Sequence, residues 1–185
     1  ALGGRSQPSP GKGYVLRAGR LDVEDREAFL ADPVNILRLF ERGLTREAQI
    51  HPDALRMAAA NLHLIDDRVR ADPGANRIFL ALLTSHNNPE RALRLMNEVG
   101  ALGAFIPAFG RVVAMMQFNM YHHYTVDEHT IQTISTLSQI ERGALRAEMP
   151  VASEIVEKGV NRRALYVALL IHDLGKGSGR DHSEV

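Results

Sequence analysis

Three side chains in this sequence are of types, and at positions, suited to holding one divalent cation: His129, His172 and Asp173. His172 and Asp173 are adjacent near the end of an Ala- and Leu-rich run, Arg162 to Leu174, that reads as a helix stopped by Gly175. Leu165, Ala168, Leu169 and His172 recur at i, i+3, i+4 and i+7, which puts His172 on the stripe expected to face a core. An ionised Asp beside such a stripe is costly unless it is paired or bound to a metal. His129 follows Thr125-Val126-Asp127-Glu128, which has the S/T-x-x-E form of a capping box, so it should open its own helix close to the inner face. An ion held by an imidazole–carboxylate pair and a second imidazole keeps coordination positions open. It can then activate water and hold a phosphate oxygen, which is metal-assisted hydrolysis. Lys176 and His182 complete the candidate set as catalytic groups. The Lys176 ammonium can neutralise a phosphate or leaving group. His182 can add a ligand or serve as a general acid, because imidazole titrates near neutral pH.

A His-Asp dipeptide alone is as readily a helix-end hydrogen bond. The order of apolar helix, His-Asp-Leu-Gly-Lys, glycine-rich loop and second His is more specific. The remaining candidates have plainer readings. His122 and His123 flank tyrosines and read as structural or rim residues, and His51, His63 and His86 as surface or cap residues. Met115, Met116 and Met120 read as core filler, and Arg91, Arg94 and Glu98 as a solvated helix face.

Composition removes several classes of function. Lys plus Arg equals Asp plus Glu at 22 each, so nothing argues for a nucleic-acid surface or an anionic membrane. There is no cysteine, which excludes disulfides, thiolate zinc sites and thiol nucleophiles and fits a cytoplasmic location. No apolar run approaches the roughly 20 residues a membrane span needs, and no signal peptide opens the chain. The 185 residues are 45% apolar but only 5% aromatic, so a core must be built from Leu, Ile, Val, Ala and Met. The polar start and the end at Val185, shortly after the most informative motif, predict a piece of a longer protein.

The elements that must position these residues read as helices. Ala1 to Gly19 is rich in Gly, Ser and Pro and reads as a flexible lead-in, followed by a short polar connector over Arg20 to Asp25. Asp32-Pro33 opens a helix whose apolar face is Ile36, Leu37, Leu39 and Phe40 and which ends near Gly43. His51-Pro52 opens another, extending to about Asp66. Further helices are expected over 76–83 and 89–99, the latter closed by Gly100. Leu102 to Phe109, with Gly103 and Pro107, reads as an irregular connector. A helix follows from the Thr125 box to about Glu141, then a loop over 143–149 and the helix that carries His172. Strand alternation is not convincing anywhere, so the expected class is all-α. The expected organisation is a lead-in over 1–19, a helical linker bundle over 20–110 and the N-terminal part of a second helical domain over 111–185.

The motifs together resemble a known family. Tyr121-His122-His123-Tyr124-Thr125-Val126-Asp127-Glu128-His129-Thr130, His172-Asp173-Leu174-Gly175-Lys176-Gly177 and Asp181-His182-Ser183-Glu184 are similar to the HD domain of the bacterial PII uridylyltransferase/uridylyl-removing enzymes. Residues 32–40, Leu95-Met96-Asn97-Glu98, Ile106-Pro107-Ala108-Phe109-Gly110 and Met116-Gln117-Phe118 resemble the helical linker of that family. The resemblance implies a bifunctional, multidomain enzyme of nitrogen regulation. A nucleotidyltransferase domain, whose active-site pattern this sequence lacks, adds UMP to a tyrosine of the PII signalling protein. The HD domain removes it by metal-dependent hydrolysis of the phosphodiester, and glutamine is sensed by C-terminal domains for which this sequence has no room.

On this reading the cofactor is a divalent metal, Mg or Mn, and the partner is PII in its native and uridylylated forms, with no nucleic acid and no membrane. The sequence ends before the last Asp of the family's H…HD…D metal set, so the isolated piece is expected to be inactive. Two other readings stay open: another HD-family phosphohydrolase acting on nucleotides, such as a deoxynucleotide triphosphohydrolase or alarmone hydrolase, and a non-catalytic helical module that docks PII or a neighbouring domain.

Overall fold

The computed structural model describes residues 11–113 and 125–175. As the periodicity predicts, these are predominantly helical. The exception is a small antiparallel hairpin, β1 (Tyr14–Arg17) and β2 (Arg20–Val23), paired Tyr14 with Val23 through Arg17 with Arg20. It lies across stretches that read as lead-in and connector. The two turn residues, Ala18 and Gly19, both have positive φ, at 49° and 75°. A two-residue loop of that kind matches the right-handed twist of the flanking strands. Leu21 is fully buried, and its backbone is extended by the segment before α3: Leu21 N–H donates to Gln49 O at 2.8 Å and His51 N–H to Leu21 O at 2.8 Å. Strands this short carry almost no alternation for a sequence reading to find.

The helices that follow are α1 (Arg26–Leu30), α2 (Asn35–Thr45), α3 (Pro52–Ala60), α4 (Asp67–Ala71), α5 (Pro73–Leu83) and α6 (Glu90–Val99). The expected starts at Asp32-Pro33 and His51-Pro52 are close. Asp32 Oδ1 accepts from Val34 N–H ahead of α2, and His51 Nδ1 accepts from Asp53 N–H at 3.1 Å to cap α3. The helix opened by His51 stops earlier than expected and gives way to a single 3₁₀ turn, Leu62–Leu64. Phe40, Leu37 and Ile36 of α2, Leu82 and Leu83 of α5, and Leu93 and Met96 of α6 form the centre of the core.

Gly100 closes α6 in the left-handed conformation, φ 86°, as expected. The connector that follows is instead two short helices, α7 (Ala101–Phe105) and α8 (Pro107–Val112). Their glycines make the difference. A Cβ on Gly103 would stand 2.9 Å from Gly110 Cα, and one on Gly110 would stand 3.2 Å from Gly103 Cα. Glycines usually depress helical propensity, but these two let the helices meet backbone to backbone, and packing overrides propensity. Buried Leu102, Phe105 and Phe109 follow from that contact.

The last described helices are α9 (Val126–Glu141), α10 (Pro150–Glu157) and α11 (Arg162–Ile171). α9 packs against α6, α10 and α11. Among the described residues, no helix is long and apolar enough to cross a membrane.

Candidate metal centre

α9 and α11 run antiparallel, and a polar clamp at one end fixes their register. Arg162, in the first turn of α11, donates from Nε to Glu141 Oε1 at 2.6 Å and from Nη2 to Glu141 Oε2 at 3.0 Å, with a further bond to Thr84 O. Tyr166, fully buried one turn later, donates its hydroxyl to Glu141 Oε2 at 2.8 Å. Burial alone would raise the Glu141 carboxyl, but the Arg162 and Tyr166 hydrogen bonds outweigh it and hold the group below the usual Glu range. Burial, and then Glu141 itself, push the Tyr166 hydroxyl up to about 12. From this clamp, twelve residues back along α9 lead to His129 and eleven forward from Arg162 lead to Asp173. At 1.5 Å per helical residue those paths are both about 17 Å, so the two side chains meet at the other end.

His129, His172 and Asp173 do meet: each offers a ligand atom, and these atoms all lie within 4.8 Å of one another. Asp173 Oδ2 is 3.4 Å from His172 Nε2 and 4.0 Å from His129 Nε2, and the imidazole centroids are 5.7 Å apart. Nδ1 of His172 lies 2.6 Å from Leu169 O. A carbonyl only accepts, so Nδ1 donates to it, and Nε2 is the ring nitrogen turned toward the Asp173 carboxylate. A backbone carbonyl that orients the ring in this way is characteristic of metal-ligating histidines. Bonds of about 2.0–2.2 Å to one ion place donor atoms roughly 3–4 Å apart, so the separations fit a single divalent cation.

The route to this geometry departs from the sequence reading in three places. The inward stripe of α11 is Tyr166 and Leu170, with half-buried Asp173 continuing it, while Ala168 and His172 are exposed. The carboxylate, not the imidazole, faces inward, because the Tyr166–Glu141 clamp rotates α11 by about one residue from its most apolar face. Second, the Thr125 capping box does not form: Thr125 makes no side-chain cap bond. Glu128 instead pairs with Arg94 of α6. Third, Arg94 is therefore no part of a solvated face. It also donates from Nε to Glu90 Oε1 at 2.9 Å. Lys176, His182, His122 and His123 lie outside the described residues.

Sequence reasoning missed one further grouping of metal-ligand types, Asp22, His51 and Asp53. It is already neutralised. An Arg17 guanidinium nitrogen lies 3.0 Å from Asp22 Oδ2 and 3.5 Å from Asp53 Oδ2, Arg56 pairs with Asp53, and His51 Nδ1 serves the α3 cap. We read it as an ion network that fastens the hairpin to α3. Two neighbouring clefts of about 430 and 450 Å³ open where Ile50, Asn88, Arg91 and Leu95 meet. None of the three metal-site residues lines them.

Comparison with known proteins decides the family. A family model described as "Uridylyltransferase GlnD third domain" matches residues 14–105. Over 170 residues, 92% of this chain, the sequence is 63% identical to the bifunctional uridylyltransferase/uridylyl-removing enzyme of Cereibacter sphaeroides. The chain belongs to this family. The enzyme of the same name from Ruegeria pomeroyi is 63% identical over 93% of the chain, and that of Azospirillum brasilense 50% identical over 92%. The alignments span only 18%, 19% and 18% of those three relatives' lengths, so the chain spans about a fifth of the length of the relatives it matches. The third-domain match ends at residue 105, before α9 and α11 bring the three ligand-type residues together.

Proposed function

We propose that this chain joins the helical linker, residues 20–110 with the strand β1 (Tyr14–Arg17) that pairs onto it, to the opening part of an HD phosphohydrolase domain, residues 111–185, in a longer cytoplasmic enzyme. In that protein His129, His172 and Asp173 hold a divalent ion, Mg or Mn, for hydrolysis of the UMP–tyrosine phosphodiester of uridylylated PII. The observation that carries the reading is the convergence of two Nε2 atoms on the Asp173 carboxylate, with the His172 ring oriented by its Nδ1 contact to Leu169 O. Family membership supports the substrate, since the relatives are named for uridylyl transfer and removal.

A bound divalent ion would supply Lewis-acid polarisation of the phosphate and a lowered pKa for water. The chain's own residues do the remaining work. Asp173 and the two imidazoles would hold the cation. Leu169 O accepts from His172 Nδ1 and orients the ring with Nε2 toward Asp173. Lys176 balances phosphate charge, and His182 passes a proton to the leaving tyrosine oxygen or adds a ligand.

The test is uridylyl removal from UMP-modified PII by the full-length protein and its His172→Ala and Asp173→Ala variants. Both variants should lose uridylyl removal and retain uridylyl transfer, which needs another domain's carboxylates. Removal at the wild-type rate by His172→Ala would refute the site.

A further inference from the structure

We propose that Arg94 and Asn97 of α6, in the linker, are positioning residues for the metal ligand His129. This rests on the metal-centre reading and adds to it a mechanical dependence of the site on a neighbouring module.

His129 is preceded directly by Asp127 and Glu128, and α6 grips both. Asn97 Nδ2 donates to Asp127 Oδ2 at 2.8 Å, and Arg94 Nη1 pairs with Glu128. One turn earlier on α6, Glu90 accepts from the Ser135 hydroxyl, and Asn88 Nδ2 donates to Ser135 Oγ at 2.9 Å. Glu90, Arg94 and Asn97 stand at i, i+4 and i+7, so a single stripe of α6 contacts α9 at its first turn and again two turns on.

Stability does not account well for this arrangement. Arg94 is a third exposed, and exposed ion pairs contribute little. Asp127 is only 5% exposed, and Asn97 Oδ1 is buried with no hydrogen-bond partner among the described residues. A buried carboxylate and a half-buried amide with one orphan oxygen therefore meet beside a ligand, where an apolar pair could pack without either. What they fix is orientation. The Thr125 side chain does not cap this turn, and the α6 side chains restrain its rotation about the helix axis. A group about 6 Å from a helix axis moves by about 2 Å for a 20° rotation, which is a whole metal–ligand bond length. The third-domain match ends at residue 105, so the gripping residues lie inside that domain and the ligand outside it.

The experiment measures Mn²⁺ binding to the full-length, chelator-treated protein by counting free Mn²⁺ with electron paramagnetic resonance, at a temperature where every variant remains folded by circular dichroism. His172→Ala defines the component of binding that belongs to this centre. If that substitution removes no Mn²⁺ binding, the metal-centre reading itself fails. Given that component, Arg94→Glu and, separately, Asn97→Leu should weaken it by roughly ten- to a hundredfold, the usual cost of losing an outer-shell partner. The charge-exchanged pair Arg94→Glu with Glu128→Arg should return it to within about threefold of wild type. Asn97→Leu keeps the inference testable if Arg94→Glu does not fold. Unchanged Mn²⁺ affinity in a folded Arg94→Glu or Asn97→Leu protein would overturn the inference. So would a charge-exchanged pair no better than Arg94→Glu alone.

Discussion

Arg162 grips both carboxylate oxygens of Glu141, and this pair sits about 17 Å along the helices from His129 and Asp173, whose meeting it favours. A shift of one residue between α9 and α11 would turn Asp173 by about 100° away from His129. The Glu141 side chain is 11% exposed, so removing its partner leaves a charge poorly solvated. Arg162→Ala should cost about 2–3 kcal/mol, read as a lower urea midpoint with an unchanged slope. Arg162→Lys should recover less than half, because a point charge cannot reproduce the two-pronged contact. A loss under about 0.5 kcal/mol, within the range of exposed pairs, would mean that the clamp does not hold the register.

The local parts of this architecture were legible in the sequence. The extent of α9, the Gly100 stop and the three ligand-type residues are read from spacing over a few residues, although the capping box that suggested the start of α9 does not form. What was not legible depends on distant partners. Glu128 has the right spacing for a capping box, but Arg94, 34 residues away, offers a full charge in place of a backbone N–H. Gly103 and Gly110 read as helix breakers until the two are seen to face each other. The apolar content of α11 pointed to the wrong stripe because Tyr166, amphipathic and easily discounted, is the residue that the Glu141 clamp draws inward.

Stability at high pH should fall in a defined window. Tyr166 ionises near 10 when unfolded and near 12 when folded, so the folded state holds the proton more tightly. The contribution is complete below pH 10 and is lost as pH rises toward 12. Tyr14, also pushed up to about 12 chiefly by burial, acts in the same direction. Tyr166→Phe should shrink the loss between pH 10 and 12 without abolishing it. Denaturation midpoints across that range give the answer, and a variant with the wild-type slope would contradict the account.

At low pH the carboxylates take over. Glu141 and Glu90 are held below the usual value of 4.5, against the opposing effect of burial, by their hydrogen bonds with Arg162 and Tyr166 and with Ser135 and Arg94. Their contribution is present above pH 4.5 and disappears as pH falls through the lowered folded values. Glu141→Gln should therefore be less stable than wild type at pH 7 and closer to it at pH 3. A constant difference between the two proteins over that range would show that charge is not what the clamp uses.

The α7–α8 crossing is sharply sensitive to a methyl group. A Cβ at Gly103 meets Gly110 Cα at 2.9 Å, and backbone cannot give way as a flexible side chain can. Gly103→Ala gains helix propensity of roughly 1 kcal/mol but forces the two helices apart, an overpacking cost of about 1–3 kcal/mol. The net effect should be destabilising, and Gly103→Ser should be worse. A thermal midpoint raised by Gly103→Ala would show that propensity wins.

Metal binding should be visible as stabilisation. An ion that binds the folded chain and not the unfolded one adds RT ln(1 + [L]/Kd), about 2.7 kcal/mol at a hundred times Kd. Raising Mn²⁺ should therefore raise the thermal midpoint of the full-length protein. Asp173→Asn is the discriminating substitution. It keeps the size of the side chain that stands 3.4 and 4.0 Å from the two imidazoles, but replaces a carboxylate ligand by a neutral amide. The variant should fold and show a Mn²⁺-dependent rise of less than a third of wild type. His63→Ala, on a 3₁₀ turn outside the site, should keep the full rise. If Asp173→Asn and wild type were stabilised equally, the ion would be bound elsewhere, and the convergence of His129, His172 and Asp173 would be a hydrogen-bonded helix end with no ligand role.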